Sequence, residues 1–285
     1  MKYLSLIFLL FSVFSCGRKG ESSDRKIITV SIAPFKYFVE EIGGDNFEVN
    51  VMVPPGSDPH IYEPFPDQVS KLRRSEAYIS NGHLDFETAW LKRFHEINPS
   101  MKKLSLGDVI EPLVSDYDGI HFESADPHYW TSPVSAMLIA RSVRDLLAGI
   151  DPDHMQQIND NYQALNDRIR ELDSTARELF SGVSGKKFMT YHPNLGYLAR
   201  DYGLQEISVE HEGKEPSPAR LMELVNIARH DSLKIILVQK EFDLRNAKVI
   251  ADETGARPVI IDPLSENWLE SVTEIINILY SSFKD

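Results

Sequence analysis

The chain has 285 residues, of which 42% are hydrophobic, and its formal net charge is −13. This acidity argues against a nucleic-acid-binding protein, because phosphate contacts need clustered lysine and arginine side chains. It favours solubility and, weakly, the attraction of cations. The length allows one large domain or two domains of ordinary size.

The N-terminal segment has the pattern of a lipoprotein leader. Lys2 precedes an apolar run of about 12 residues, which is too short for a membrane-spanning helix of about 20 residues. The run ends in VFSCG, which is similar to a lipoprotein processing site, and Cys16 is the only cysteine in the chain. We therefore expect residues 1–15 to be a signal peptide, Cys16 to carry a lipid, and residues 16–26 to form a flexible tether. A secreted protein with one free thiol is the alternative.

Strand-like and helix-like runs then alternate along the first half of the chain. The hydropathy pattern predicts strands at residues 27–33, 47–53, 77–81 and 103–106, with helices at 37–42, 66–74 and 86–97. Alternation of this kind is typical of a parallel sheet covered by helices. We assign residues 27–150 to an N-terminal lobe.

A long helical stretch without any strand signal follows. After a helix at residues 133–147, Asp151 is a plausible N-cap and Pro152 a plausible first helical residue of a second helix, which runs to Phe180. At 1.5 Å per residue, roughly 30 residues reach roughly 45 Å, more than the width of a small lobe. We expect residues 151–182 to form a rigid helix between two lobes. A coiled-coil dimerisation arm is the rival interpretation.

The second half repeats the alternation of the first. Predicted strands lie at residues 187–190, 206–210, 234–239 and 258–261, with helices at 194–202, 218–230, 244–253 and 266–280. The expected fold is therefore α/β, with two lobes. Each lobe is a four-stranded, mostly parallel sheet flanked by helices, and the second lobe covers residues 183–285.

Four potential metal ligands stand beside prolines in predicted loops. The tripeptide Asp-Pro-His occurs twice and places His60 and His128 directly after a proline, while His192 and Asp262 directly precede one. Because proline fixes its own φ and restricts the preceding residue to extended geometry, these loops should be rigid. Three imidazoles and one carboxylate are a suitable ligand set for a tetrahedral metal ion.

The order of the elements predicts that these four groups meet. His192 and Asp262 each follow a predicted strand, His60 follows one after a longer loop, and His128 lies beyond the fourth strand. Loops at the carboxyl ends of parallel strands are where α/β sheets bind ligands. We expect two ligands from each lobe, converging in the cleft between them.

Several stretches, in this order after a lipoprotein leader, resemble the metal-specific solute-binding proteins of bacterial ABC transporters: PPGSDPHIYEP, NGHLDFETAW, DPHYW, YHPNLGYLAR and VIIDPL. The resemblance covers essentially the whole mature chain. It implies two α/β lobes joined by a rigid helix, a metal ion held by His60, His128, His192 and Asp262, and delivery of that ion to a membrane-embedded ABC permease. It also implies a monomeric, extracytoplasmic receptor, in the periplasm or at the cell surface, rather than an enzyme.

The nitrogen-rich ligand set favours Zn²⁺ as the transported ion, with Mn²⁺ as the alternative, because manganese prefers oxygen donors. A manganese- or iron-specific receptor and a three-histidine zinc hydrolase remain alternatives, as do a structural zinc site and an adhesin. Tyr62 and Glu63 are candidates for hydrogen bonds that orient a ligating histidine. The roles of three further histidines stay open: His83, His121 and His211.

Overall fold

The structure is a computed structural model that describes residues 25–113, 125–210 and 216–284. In these ranges the first lobe contains one sheet with strand order β2-β1-β3-β4, in which each pair of neighbours is parallel. Val30 of the central strand lies opposite Val51 on one side and Ile79 on the other. The strands are β1 (Lys26–Ile32), β2 (Phe47–Val53), β3 (Ser75–Ser80) and β4 (Lys102–Ser105).

The second lobe repeats this arrangement with strand order β6-β5-β7-β8, again with parallel neighbours. Leu237 pairs with Thr190 on one side and Val259 on the other. The prediction of two four-stranded parallel sheets is confirmed. The strands are β5 (Lys187–Thr190), β6 (Gln205–Ser208), β7 (Ile235–Gln239) and β8 (Arg257–Ile261).

Helix starts follow the local sequence closely. Pro133 and Pro218 occupy the first turns of two helices, where the missing N–H costs nothing. The preceding Ser132 and Ser217 cap the same helices by accepting backbone N–H groups at 3.2 Å. The helices are α1 (Ala33–Gly43), α2 (Pro66–Leu72), α3 (Asp85–Ile97), α4 (Pro133–Ile150), α5 (Met155–Phe180), α6 (Gly196–Tyr202), α7 (Pro218–His230), α8 (Arg245–Thr254) and α9 (Trp268–Lys284).

Helix α5 is the predicted connecting helix, but it begins differently. A 3₁₀ turn at Pro152–His154 precedes it, and Asp151 makes no side-chain capping bond. Instead, the Asp151 carboxylate accepts from Lys26 Nζ at 2.8 Å and lies 2.9 Å from His154 Nδ1. The apolar stripe of α5 packs inside the chain against α1, α4 and α9, so it does not form the seam of a coiled-coil arm.

One hydrophobic core crosses the boundary between the lobes. It joins side chains of the first sheet to Phe188, Leu237 and Trp268 of the second lobe. Trp268 donates its indole N–H to the carbonyl of Trp130 at 2.6 Å, and Trp130 donates to the carbonyl of Pro263 at 2.8 Å. Separating the lobes would therefore expose apolar surface and break buried hydrogen bonds.

The leader, Cys16 and most of the predicted tether lie outside the described residues. Within the described ranges, no helix is long and apolar enough to cross a membrane. The first strand, β1, starts at Lys26.

Candidate metal site

The two Asp-Pro-His motifs form the same small turn. Asp58 Oδ1 accepts the backbone N–H of His60, and Asp126 Oδ1 accepts that of His128, both at 2.8 Å. Each aspartate thus closes a turn over the intervening proline and fixes the backbone of the histidine. This local hydrogen bond explains why the motif occurs at both ligand positions.

The three predicted histidine ligands meet between the lobes. His60 lies in the loop after β2, His128 lies just before the 3₁₀ turn at Tyr129–Thr131, and His192 follows β5. One nitrogen of each ring belongs to a group whose atoms all lie within 4.8 Å of one another. The Nε2 atoms of His128 and His192 are 3.3 Å apart.

Each of these rings has a carboxylate on its other nitrogen. Asp126 Oδ1 lies 2.8 Å from His128 Nδ1, and Glu210 Oε2 lies 2.9 Å from His192 Nδ1. For the third ring, His60, the distance from Nδ1 to Asp85 Oδ2 is also 2.9 Å. In neutral rings, this pairing places the proton on Nδ1 and leaves a lone pair on each Nε2.

Three converging Nε2 lone pairs would suit a cation placed between them. Two facing acceptors at the His128–His192 distance repel each other, and His60 Nε2 is buried without a hydrogen-bond partner. Nitrogens that are each about 2.0–2.1 Å from a tetrahedral Zn²⁺ ion lie about 3.3–3.4 Å apart. The observed spacing of His128 and His192 fits this value.

The burial of His128 favours its neutral form. Burial lowers the pKa of His128, although the neighbouring Asp126 carboxylate opposes this effect. The neutral form is the one that binds a metal ion.

The three ligands differ in how firmly they are enclosed. The side chains of His128 and His192 are 5% and 8% exposed, whereas that of His60 is 29% exposed. Its partner Asp85 is 75% exposed. His60 is therefore the ligand that solvent reaches most easily.

One aromatic side chain from each lobe packs against the site. The ring of Phe242 stacks on His192 with centroids 4.8 Å apart and planes 16° apart. Trp130 lies beside His128, with ring centroids separated by 5.2 Å. The remaining cavity measures about 10 Å³, which is room for one ion or water molecule rather than an organic ligand.

Asp262, the predicted fourth ligand, is not part of the histidine group. Its Oδ2 accepts from Lys240 Nζ at 2.5 Å, and its Oδ1 is buried without a hydrogen-bond partner. The residue does follow β8, as the sequence predicted.

Tyr62 and Glu63, the residues predicted to orient a ligating histidine, lie in the loop that follows His60. The hydroxyl of Tyr62 donates to Gln68 at 3.0 Å, and Glu63 is exposed. Asp85 takes that role for His60 because the first turn of α3 packs beside the ligand loop.

His83 is outside the histidine group, and its backbone N–H donates to the side chain of Asn81. Two further histidines lie outside the described residues: His121 and His211.

Comparison with known proteins agrees with this geometry. The Streptococcus pneumoniae protein named "Zinc-binding lipoprotein AdcA" is 28% identical over 292 residues, covering 96% of this chain and 56% of the relative. This chain thus spans little more than half the length of that relative. The Bacillus subtilis "High-affinity zinc uptake system protein ZnuA" is 25% identical over 280 residues, covering 92% of this chain and 86% of the relative.

A crystal structure of a zinc-bound ZnuA deletion mutant is also similar. It has a TM-score of 0.84 and 35% sequence identity, and the match covers 91% of this chain and 98% of that one. The family described as "Zinc-uptake complex component A periplasmic" matches residues 28–281. The chain belongs to this ZnuA family of metal-binding transport components.

Proposed function

We propose that this protein is an extracytoplasmic receptor that captures Zn²⁺ between its lobes and delivers it to an ABC permease. The observation that carries the proposal is the convergence of three Nε2 lone pairs, each enforced by a carboxylate on Nδ1. The names of the streptococcal and Bacillus relatives, which include zinc binding and zinc uptake, support the choice of cargo. A site that encloses one ion leaves no space for an organic substrate.

The proposed ligands are His60, His128 and His192, with Asp262 as the fourth. Oδ1 of Asp262 is buried without a hydrogen-bond partner and is the proposed ligand atom, while Oδ2 binds Lys240. Zinc is the proposed cargo because three imidazoles and one carboxylate suit its tetrahedral preference. Manganese, as the alternative cargo, would require more oxygen ligands than the described residues bring to this group.

The first test is a titration of the metal-free chain with Zn²⁺ and Mn²⁺ against a chromophoric chelator. We expect one Zn²⁺ per chain and much weaker Mn²⁺ binding. His192→Ala should weaken zinc binding strongly without unfolding the protein. Full zinc affinity in His192→Ala would refute the site, and tighter binding of manganese than of zinc would refute the cargo. Hydrolysis of an activated ester by the zinc-loaded chain, lost in His192→Ala, would favour the hydrolase alternative.

We also propose that residues 1–15 are removed and that Cys16 carries a lipid that anchors the monomeric receptor to a membrane. The apolar leader and the lone cysteine after it support this proposal. The Cys16→Ser protein should appear in the soluble fraction of the native host. Continued membrane association of that variant would contradict lipid anchoring.

A further inference from the structure

Two acidic side chains outside the ligand set are built into the lobes in the same way. Glu87 in the first turn of α3 and Glu206 in β6 each accept hydrogen bonds from one strand hydroxyl and two consecutive backbone N–H groups. Neither residue belongs to the group of three histidines that could hold a metal ion. Each of the two carboxyl groups instead holds a loop or turn next to one of the three histidines.

Glu206 holds both sides of the His192 loop. Its Oε1 accepts from the hydroxyl of Thr190 at 2.8 Å and from the backbone N–H groups of Asn194 and Leu195 at 3.1 Å each. These donors stand two residues before His192 and two and three residues after it. One oxygen atom therefore closes the loop that presents this ligand.

Glu87 holds the turn that positions His128. Its Oε1 and Oε2 accept the backbone N–H groups of Asn81 and Gly82 at 2.6 Å each, and the hydroxyl of Ser31 also donates to it. The fixed Asn81 donates its side-chain N–H to the carbonyl of Pro127 at 2.9 Å. The carbonyl of Asn81 accepts the hydroxyl of Tyr129 at 2.7 Å. The residues on both sides of His128 are thus tied to a turn that Glu87 organises.

The burial of these carboxyl groups indicates that the arrangement has an energetic cost. Glu87 is 2% exposed, and desolvation raises its pKa. The residue Glu206 keeps some accessible surface, but its carboxyl group is surrounded by protein atoms. The resulting desolvation raises the pKa of this carboxyl to about 7. A buried acid without a cationic partner is costly, so its hydrogen bonds must be well placed.

We propose that Glu87 and Glu206 are positioning residues for metal capture, which hold His128 and His192 as a preformed pair of ligands. This inference rests on the proposed zinc-binding function. His60 has a different environment, since its side chain is 29% exposed and its partner Asp85 is 75% exposed. Two fixed ligands and one more accessible ligand would let the ion enter beside His60 and find the other two already in place.

The two acids respond differently to the same conservative substitution. All three bonds to Glu206 end on Oε1, so the single carbonyl oxygen of Glu206→Gln can accept all of them. Both oxygens of Glu87 accept a backbone N–H, so Glu87→Gln must place its NH₂ group against one of these donors. Glu206→Leu keeps the approximate volume of the side chain and removes the acceptor.

The experiment compares these variants in the mature chain by zinc competition with a chelator and by the visible spectrum of bound Co²⁺. We expect Glu87→Gln and Glu206→Leu to bind Zn²⁺ about tenfold more weakly, which is the lower end of the affinity loss for residues that orient metal ligands. The zinc affinity of Glu206→Gln should stay within about twofold of that of the parent. The Co²⁺ bands should shift or weaken in the first two variants only. A change in overall stability alone would not alter these bands.

The control is Asn98→Leu, which removes two buried hydrogen bonds, at 3.1 and 2.8 Å, to the carbonyls of Leu72 and Ser75, where β3 begins. It should lower the unfolding temperature and leave zinc affinity and the Co²⁺ spectrum unchanged. Parental affinity and spectrum in Glu87→Gln would overturn the proposal. If Glu206→Leu does not fold, the proposal is tested by comparing Glu87→Gln with Glu206→Gln. Equal zinc affinities and Co²⁺ spectra of these two variants would also overturn the proposal. Failure of the parent to bind either metal would instead refute the proposed function.

Discussion

The ammonium group of Lys240 lies 2.5 Å from Oδ2 of Asp262, and the nearby residues Gln239 and Leu264 line the cavity at the three histidines. The two residues end neighbouring strands, because Lys240 follows β7 and Asp262 follows β8. The ion pair competes with a metal ion for the same carboxylate. Oδ1 of Asp262 has no hydrogen-bond partner, so a zinc ion bound there would either share the carboxylate with Lys240 or displace it.

This competition predicts opposite effects for the two members of the pair. Lys240→Met should raise zinc affinity severalfold, because it removes a competing positive charge from the carboxylate, while Asp262→Asn should lower it about tenfold. Chelator competition with each purified variant measures both effects. Unchanged affinity in Asp262→Asn would show that the fourth position belongs to water or another ligand.

The carboxylates behind the histidines should differ in importance. Glu210 is enclosed with His192, whereas Asp85 is 75% exposed and its interaction with His60 is weakened by solvent. We expect Glu210→Gln to reduce zinc affinity by about 10- to 100-fold and Asp85→Asn by less than about threefold. Titration of both variants under one set of conditions checks this. Equal losses would contradict the inference that His60 is the least constrained ligand.

Removing the metal should leave the protein folded. The core that crosses both lobes consists of apolar side chains and does not involve the three histidines. Treatment with a chelator should therefore preserve the far-ultraviolet circular dichroism, and thermal unfolding should remain one cooperative transition. Added Zn²⁺ should raise the midpoint, because it binds only the folded state. Loss of secondary structure on chelation would instead identify a structural zinc site.

Most of the fold could be predicted from the sequence because the strands carry strong hydropathy signals. The run at Ile235–Gln239 is buried throughout, as expected for a parallel strand covered on both faces. Element ends were less predictable. Helix α1 begins at Ala33, four residues before its predicted start, because Pro34 is compatible with a first helical turn. The capping role predicted for Asp151 failed because Lys26, 125 residues away, binds its carboxylate.

The grouping of the three histidines could be predicted because each stands next to a proline in a loop, and two of them belong to Asp-Pro-His motifs. Their carboxylate partners were harder to find, since Glu210 lies 18 residues after His192 and Asp85 lies 25 residues after His60. Only tertiary packing brings such residues together. Asp126 is the exception, because the Asp-Pro-His motif itself places its carboxylate beside His128.

The pKa of Glu206 predicts a pH dependence of stability in the metal-free protein. Desolvation by burial raises this pKa from its ordinary value of 4.5 to about 7. Between these two pH values the folded state therefore holds a proton that the unfolded state has lost. The resulting contribution to stability is complete below pH 4.5 and disappears as the pH rises through 7. Its upper limit is about 3 kcal/mol, from 1.36 kcal/mol per pKa unit.

Urea unfolding at a series of pH values between 5 and 8 measures this contribution as the difference between the parent and Glu206→Gln. Because the amide does not titrate, the free energy of unfolding of the parent should fall relative to that of the variant as the pH rises. The comparison cancels titrations that the two proteins share, including the opposing effect of His128, whose pKa is lowered by burial. If the free energies of unfolding of the parent and of Glu206→Gln change in parallel across this pH range, Glu206 ionises normally. Its carboxyl would then be better solvated than its burial indicates.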